Sequence, residues 1–162
     1  MQMDLVGVRV EIPDNTPVLV LREHEGQQRL LPILIGSPEA AAIHSAMEGI
    51  VPPRPLTHDL IVILLAQFDT RLESVVITEV RDHTYYAELH LSVSGKPVVI
   101  SSRPSDAVAI AVRTHTTIFA TESLLDEVAV EAPAEATEAD ESAILDEFRD
   151  FLDDVSPEDF GA

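Results

Sequence analysis

Apolar and polar positions alternate with a period of two through much of the first third of the chain. In Met3–Ile12, Leu5, Gly7, Arg9 and Glu11 alternate imperfectly with Val6, Val8, Val10 and Ile12, the pattern of a strand with one apolar face. Pro13-Asp14-Asn15-Thr16 is a turn cluster, Pro17–Glu23 a second strand, and His24-Glu25-Gly26 turns the chain again. Gln28–Ile35 is a third strand; Pro32 inside it brings no N–H to a ladder and so predicts an edge or a bulge. Gly36 breaks the run. Ser37-Pro38-Glu39 then starts a helix of small apolar residues that stops near Gly49.

Val51-Pro52-Pro53-Arg54-Pro55 is a stiff, extended connector. Thr57–Phe68 follows, with a β-branched run that composition alone allows as a buried strand. A capping Thr57, an Asp59 suited to a helix N-terminus and the Ala66-Gln67 continuation favour a helix. Arg71–Arg81, His83–Ser92 and Lys96–Ser101 are three antiparallel strands, joined at Asp82-His83 and Ser94-Gly95 with hairpin spacing. On the middle strand Tyr85, Ala87, Leu89 and Leu91 share one face. In Ser102–Arg113, Pro104 keeps Arg103 out of the helix, Ser105 is the expected N-cap and Asp106 meets the positive end of the dipole. Ala107–Val112 is an almost wholly apolar rod that must be buried. Thr117–Ala120 is a short last strand and Glu122–Glu127 a short amphipathic helix.

The expected fold is therefore α+β: a mixed or antiparallel sheet from three strands and a helix, a bridging helix, then three strands and a helix again. LLPILIGSPEAAAI (30–43) aligns with KPVVISSRPSDAVAI (96–110), laying Glu39 over Asp106 and Ala42 over Ala109. This predicts a degenerate internal duplication with pseudo-two-fold symmetry. The body spans residues 1–127. Residues 128–138 read as a flexible linker, and 139–162 as an acidic helical tail with Ile144, Leu145, Phe148, Phe151, Leu152 and Val155 on one stripe. Such a stripe docks on the body, on a partner subunit or on another protein.

Charge and composition narrow the classes. The net charge is −19, but residues 122–162 hold 15 acids against Arg149 alone, so the body is only mildly acidic. Eight of the body's nine bases are Arg, the residue that grips carboxylates and phosphates through two N–H groups. The absence of Cys excludes disulfide frameworks, thiolate chemistry and zinc–sulfur sites. No histidine pair has zinc-site spacing. Met1-Gln2-Met3-Asp4 shows no signal-peptide pattern, and the longest apolar run, Leu60–Ala66, is too short to span a bilayer. A soluble, cytoplasmic protein without membrane contact is expected.

Two charged elbows stand out. Arg54-Pro55-Leu56-Thr57-His58-Asp59 and Arg103-Pro104-Ser105-Asp106 each place Arg-Pro, a hydroxyl and a first-turn acid at the mouth of an apolar helix. A buried helix does not need both an Arg and an Asp there for stability, which makes the elbows candidate sites. The competing reading is an internal lattice in which Asp59 and Asp106 cap helices and pair with Arg54, Arg103 or Arg113.

LPILIGSPEAAAI, RPLTHDL and SRPSDAVAIAVR, in this order and spacing, resemble the bifunctional nuclease family (domain of unknown function 151) over about residues 1–127. The acidic tail ending FRDFLDDVSPEDF resembles the extension of bacterial members. The resemblance implies an α+β fold, a homo-oligomer, and hydrolysis of DNA and RNA. Phosphodiester hydrolysis needs an activated water, charge stabilisation and protonation of the leaving group. Arg54 and Arg103 can clamp a phosphate, His58 can act as base or ligand, and Glu39, Asp59 and Asp106 can hold Mg²⁺ or Mn²⁺. With Ser105 they make the expected site. A nucleic-acid binder should also carry a basic patch and stacking aromatics, whereas this chain is acidic and 4% aromatic. The tail can mimic nucleic acid and shield the site. The alternative is a non-catalytic interaction or regulatory protein with structural Arg–Asp elbows and a C-terminal docking helix.

Overall fold

The computed structural model describes residues 1–11 and 15–130. The stretch 131–138 of the expected linker and the expected tail helix at 139–162 lie outside the described residues. Residues 128–130 belong to the body: Val128 ends a helix and Val130 pairs with Leu30 in an antiparallel bridge.

Turn chemistry sets the strand pairing. β4 (Thr70–Arg81) meets β5 (Thr84–Val93) through Asp82 and His83, at φ 49° and 58°. β5 meets β6 (Lys96–Ser102) through Ser94 and Gly95, at φ 48° and 80°. Two successive left-handed residues match the twist of the flanking strands, which is why two-residue spacing reads as a hairpin. β1 (Gln2–Glu11), β2 (Thr16–Glu23) and β3 (Leu30–Leu34) form a second antiparallel meander. The register of β1 slips between Leu5 and Gly7, the physical cause of its imperfect alternation. β3 is an edge strand, and Pro32 sits on it opposite Val20, as the missing N–H requires.

The seven strands form one sheet in the order β3-β2-β1-β7-β4-β5-β6. β7 (Ile118–Ala120) lies at its centre, antiparallel to β1 and parallel to β4, so the sheet is mixed. The N-terminal amine donates to the Ala120 carbonyl at 2.6 Å. Each meander runs outward to an edge strand, and each edge strand feeds a helix. β3 leads into α1 (Ser37–Met47), and β6 leads into α3 (Pro104–Thr114). α2 (Thr57–Gln67) bridges the halves, and α4 (Glu122–Val128) closes the described chain.

α3 is the central helix. Ala107 to Ala111 are all buried, as the apolar rod requires, and they share the core with Ile43 of α1 and with Val75, Ile77 and Leu91 of the sheet. Small side chains let α1 and α2 lie close against α3. α2 is a helix, as its flanks predict, but its apolar run is not uniformly buried. Ile61, Val62 and Leu65 pack on the core while Leu60, Ile63 and Leu64 face outward. A run apolar at every position carries no periodicity to say which face is covered.

Two expected caps are corrected. The N-cap of α3 is Arg103, with Pro104 and Ser105 already inside the first turn, and that of α2 is Leu56 rather than Thr57. In α3, Pro104 at the first helical position sets the cap two residues before the Ser105 hydroxyl. Asp59 does the capping of α2, accepting from the Leu56 N–H at 2.9 Å.

One buried ionic cluster was not foreseen. Glu23 is 1% exposed and accepts from Arg29 Nη2 at 2.7 Å, from its Nε at 3.1 Å and from its backbone N–H at 3.0 Å. Arg29 also reaches Asp126 at 2.8 Å and Glu122 at 3.2 Å, pinning α4 to the β2–β3 turn. Those hydrogen bonds hold the Glu23 carboxyl below its ordinary value despite burial.

Candidate functional site

Three helix N-termini supply the charged groups. Glu39 and Asp106 each stand in the first turn of their helix, and His58 stands in the first turn of α2. α1 and α3 pack side by side, so Glu39 faces the Arg103 elbow. Arg103 Nη2 donates to Glu39 Oε1 at 3.0 Å and to Asp106 Oδ1 at 3.0 Å. Its Nε donates to Asp106 Oδ2 at 2.6 Å. Asp106 Oδ1 is also 3.0 Å from His58 Nε2. Asp106 is thus the hub, gripped by Arg103 on both oxygens and shared with the imidazole.

The cluster is open on one side. The side chains are 65% exposed for Arg103, 28% for Asp106, 17% for Glu39 and 11% for His58. Burial pushes the Asp106 carboxyl up, but the hydrogen bonds from Arg103 and His58 outweigh it and hold the group below its ordinary value. The Arg103 guanidinium is raised in turn, chiefly by its hydrogen bond to Asp106. Its Nη1 makes no hydrogen bond among the described residues. Gly36 leaves room for the arrangement, because a Cβ there would run into the Glu39 carboxylate.

Asp59 does not join this cluster. Its Oδ1 accepts from Arg113 Nε at 2.6 Å, and Arg113 Nη1 donates back to the Ala109 carbonyl at 2.9 Å. Arg113 and the Leu56 N–H hold the Asp59 carboxyl below its ordinary value. Asp59 is therefore a bolt between α2 and the far end of α3. Arg54 lies exposed on the connector with no ion pair among the described residues. The two elbows do converge, but through His58 and Asp106 and not through their two arginines.

Glu39, Asp59 and Asp106 do not fit a divalent ion as a set. The Arg103 guanidinium stands between Glu39 and Asp106, where a cation would have to sit, and Asp59 is committed to Arg113. Among the described residues no cluster of three or more acids and histidines is arranged to hold a metal ion.

Beside the cluster lies a cleft of about 580 Å³. Its lining combines apolar residues, Ile33, Ile35, Val80 and Pro104 among them, with Arg103, Ser105, Tyr85 and Glu127. Burial, with Glu127 nearby, pushes the Tyr85 hydroxyl up to about 12. Ser105 is 5% exposed and its hydroxyl has no hydrogen bond among the described residues. Sequence reasoning placed Tyr85 only on one strand face with Ala87, Leu89 and Leu91, and His83 only in a turn. Both line this cleft, and nothing in the local pattern signals that the β4–β5 turn lies near Arg103.

The sequence model of the Bifunctional nuclease domain matches residues 19–133. An uncharacterized protein of Mycobacterium tuberculosis is 44% identical over 99% of this chain and 98% of its own length. Bifunctional nuclease 1 of Arabidopsis thaliana is 30% identical over 63% of this chain, and Bifunctional nuclease 1 of Oryza sativa subsp. japonica is 28% identical over 64%. In both plant relatives the match covers 33% of the relative's length.

Proposed function

The chain belongs to the bifunctional nuclease domain family, and we propose from that premise that it hydrolyses phosphodiester bonds of DNA and RNA at the Glu39–Arg103–Asp106–His58 cluster. The observation that carries this reading is the shared Asp106 carboxylate, which couples an imidazole to an exposed guanidinium. An ionised carboxylate only accepts, so His58 donates from Nε2, and in the neutral ring the lone pair is then on Nδ1. Nδ1 can take a proton from the attacking water as its oxygen bonds to phosphorus, the imidazolium that forms is stabilised by Asp106, and the leaving oxygen, freed as its own P–O bond breaks, takes a proton from solvent water. Arg103 is fixed by three hydrogen bonds through Nε and Nη2, leaving Nη1 to meet a phosphoryl oxygen as charge builds on it. Glu39 holds the far side of that guanidinium. No step passes through a metal, because the guanidinium takes the position between the acids.

Cleavage of end-labelled single-stranded DNA and RNA by the full chain tests this. His58→Gln is expected to lower the rate by at least about 100-fold, and Arg103→Ala by about 100-fold. Chelation with EDTA is expected to leave the rate unchanged. Variants that cut as fast as wild type would remove the assignment.

One observation favours a second reading, a non-catalytic interaction protein. Every acid of the cluster already has a cationic or imidazole partner, as in a purely structural lattice. Under that reading the purified chain cuts neither nucleic acid, and the same substitutions change only its melting temperature.

A further inference from the structure

We infer that the cleft beside the cluster seats one unpaired nucleotide of a single-stranded substrate, its phosphate against Arg103 and Ser105 and its base on the apolar lining with Tyr85. The inference rests on the reading of the cluster as a phosphodiester-cutting site and adds the part of the substrate that the cluster does not touch. The volume falls within the roughly 300–1,000 Å³ of clefts that hold small organic ligands.

The lining is divided in the way a nucleotide is divided. Arg103 Nη1 and the Ser105 hydroxyl, both without partners among the described residues, stand where β6 enters α3. They match an anion carrying acceptor oxygens. Ser105 is buried as a residue but lines the cleft, and its hydroxyl is not sealed inside the fold: among the described residues only the Ser102 hydroxyl is both buried and unpartnered. Ile33, Ile35, Val80 and Pro104 offer apolar surface to a base, and Tyr85 is the aromatic side chain of that lining. The two carboxylates of the lining, Asp82 and Glu127, come from other elements, the β4–β5 turn and α4. There they disfavour a second phosphate and can accept from base amino groups. A base in a duplex cannot reach such a surface without leaving its stack, whereas a single strand presents it at little cost. A net charge of −19 likewise opposes the many-phosphate grip that duplex binding uses.

The chain has two tyrosines and no tryptophan, so its near-ultraviolet fluorescence reports directly on Tyr85 and its neighbour. Full-length protein, labelled with ¹⁵N, would be titrated with adenosine 5′-monophosphate, adenosine, a five-nucleotide single strand and a duplex of matching sequence. Expected are tyrosine quenching by the monophosphate and the single strand, amide shifts at Ile35, Gly36, Tyr85 and Ser105, and weaker binding of the duplex. Tyr85→Leu is expected to weaken the monophosphate about tenfold. Ser105→Ala should weaken the monophosphate while leaving adenosine unchanged. Amide shifts of wild type that map elsewhere, or no binding, overturn the inference even if Tyr85→Leu fails to fold. A duplex bound as tightly as the single strand overturns it too. Shifts in the cleft with His58→Gln still cutting at the wild-type rate sustain the nucleotide seat and refute the cutting site. Loss of cutting in His58→Gln with an unresponsive cleft refutes the nucleotide seat alone.

Discussion

Asp106 and Asp59 look alike in sequence and do different work. Each is a first-turn acid with an arginine partner. Asp106 shares its carboxylate with an imidazole beside an open cleft, while Asp59 is closed off by Arg113. Asp59→Asn is therefore expected to lower stability and leave the rate constant of cutting near wild type, whereas Asp106→Asn removes cutting with a smaller effect on melting. The acid limb of stability follows from the same groups. Asp59 and Asp106 titrate below their ordinary value of 3.8, and Glu23 below 4.5. The folded chain thus takes up these protons less readily than the unfolded chain. The stability they contribute is fully present above the unfolded values and is lost as pH falls through the folded ones. Urea midpoints should fall steeply as pH drops below about 4, more shallowly in Asp59→Asn. Arg29→Ala leaves Glu23 charged and buried, and chemical denaturation should show a loss of about 3–5 kcal/mol.

Among the elements, the β3–α1 joint is the one most directly tied to the site. Gly36 has no Cβ, and that vacancy is filled by the Glu39 carboxylate that holds Arg103. Gly36→Ala is expected to push Glu39 aside, because the obstructing atoms are the far end of a flexible side chain. Cutting should fall between about 10- and 100-fold through loss of Arg103 positioning, with little change in melting temperature. An unchanged rate would show that Glu39 does not position Arg103. On α3 the alternation of Ala with Val and Ile lets two helices lie against one. Ala109→Leu is expected to cost about 1–3 kcal/mol or more by overpacking, measured by urea denaturation. Periodicity located these elements well. The helix caps moved by one residue in α2 and two in α3, because Leu56 and Arg103 have the extended backbone that capping requires while the hydroxyls of Thr57 and Ser105 lie inside the first turn.

At the scale of the molecule, β7 joins the halves. Three residues pair with β1 on one side and β4 on the other, so each meander completes its sheet only through them. Ile118 is buried there, and Ile118→Ala is expected to cost about 2–5 kcal/mol. Unfolding should stay a single transition by circular dichroism and tyrosine fluorescence, since neither half keeps its inner edge covered alone. Among the described residues no helix is long and apolar enough to cross a membrane.

The order of strands and helices, the two hairpins, the edge position of β3 and the burial of α3 were all legible in the linear pattern. Each depends on interactions among residues a few places apart: turn dihedrals, the period of two or 3.6, and proline's missing donor. The α+β class follows from that order, and the family resemblance from the three blocks LPILIGSPEAAAI, RPLTHDL and SRPSDAVAIAVR. Which arginine meets which acid was not legible, because Arg103, Arg113 and Arg54 are chemically equivalent and their choice depends on how α2 crosses α3. Nor was the cleft, whose walls come from β3, the β4–β5 turn, the β6–α3 joint and α4. The placement of β7 brings these distant segments together. Local chemistry drew the parts, and the packing of α1 and α2 against α3 decided where the charged groups face one another.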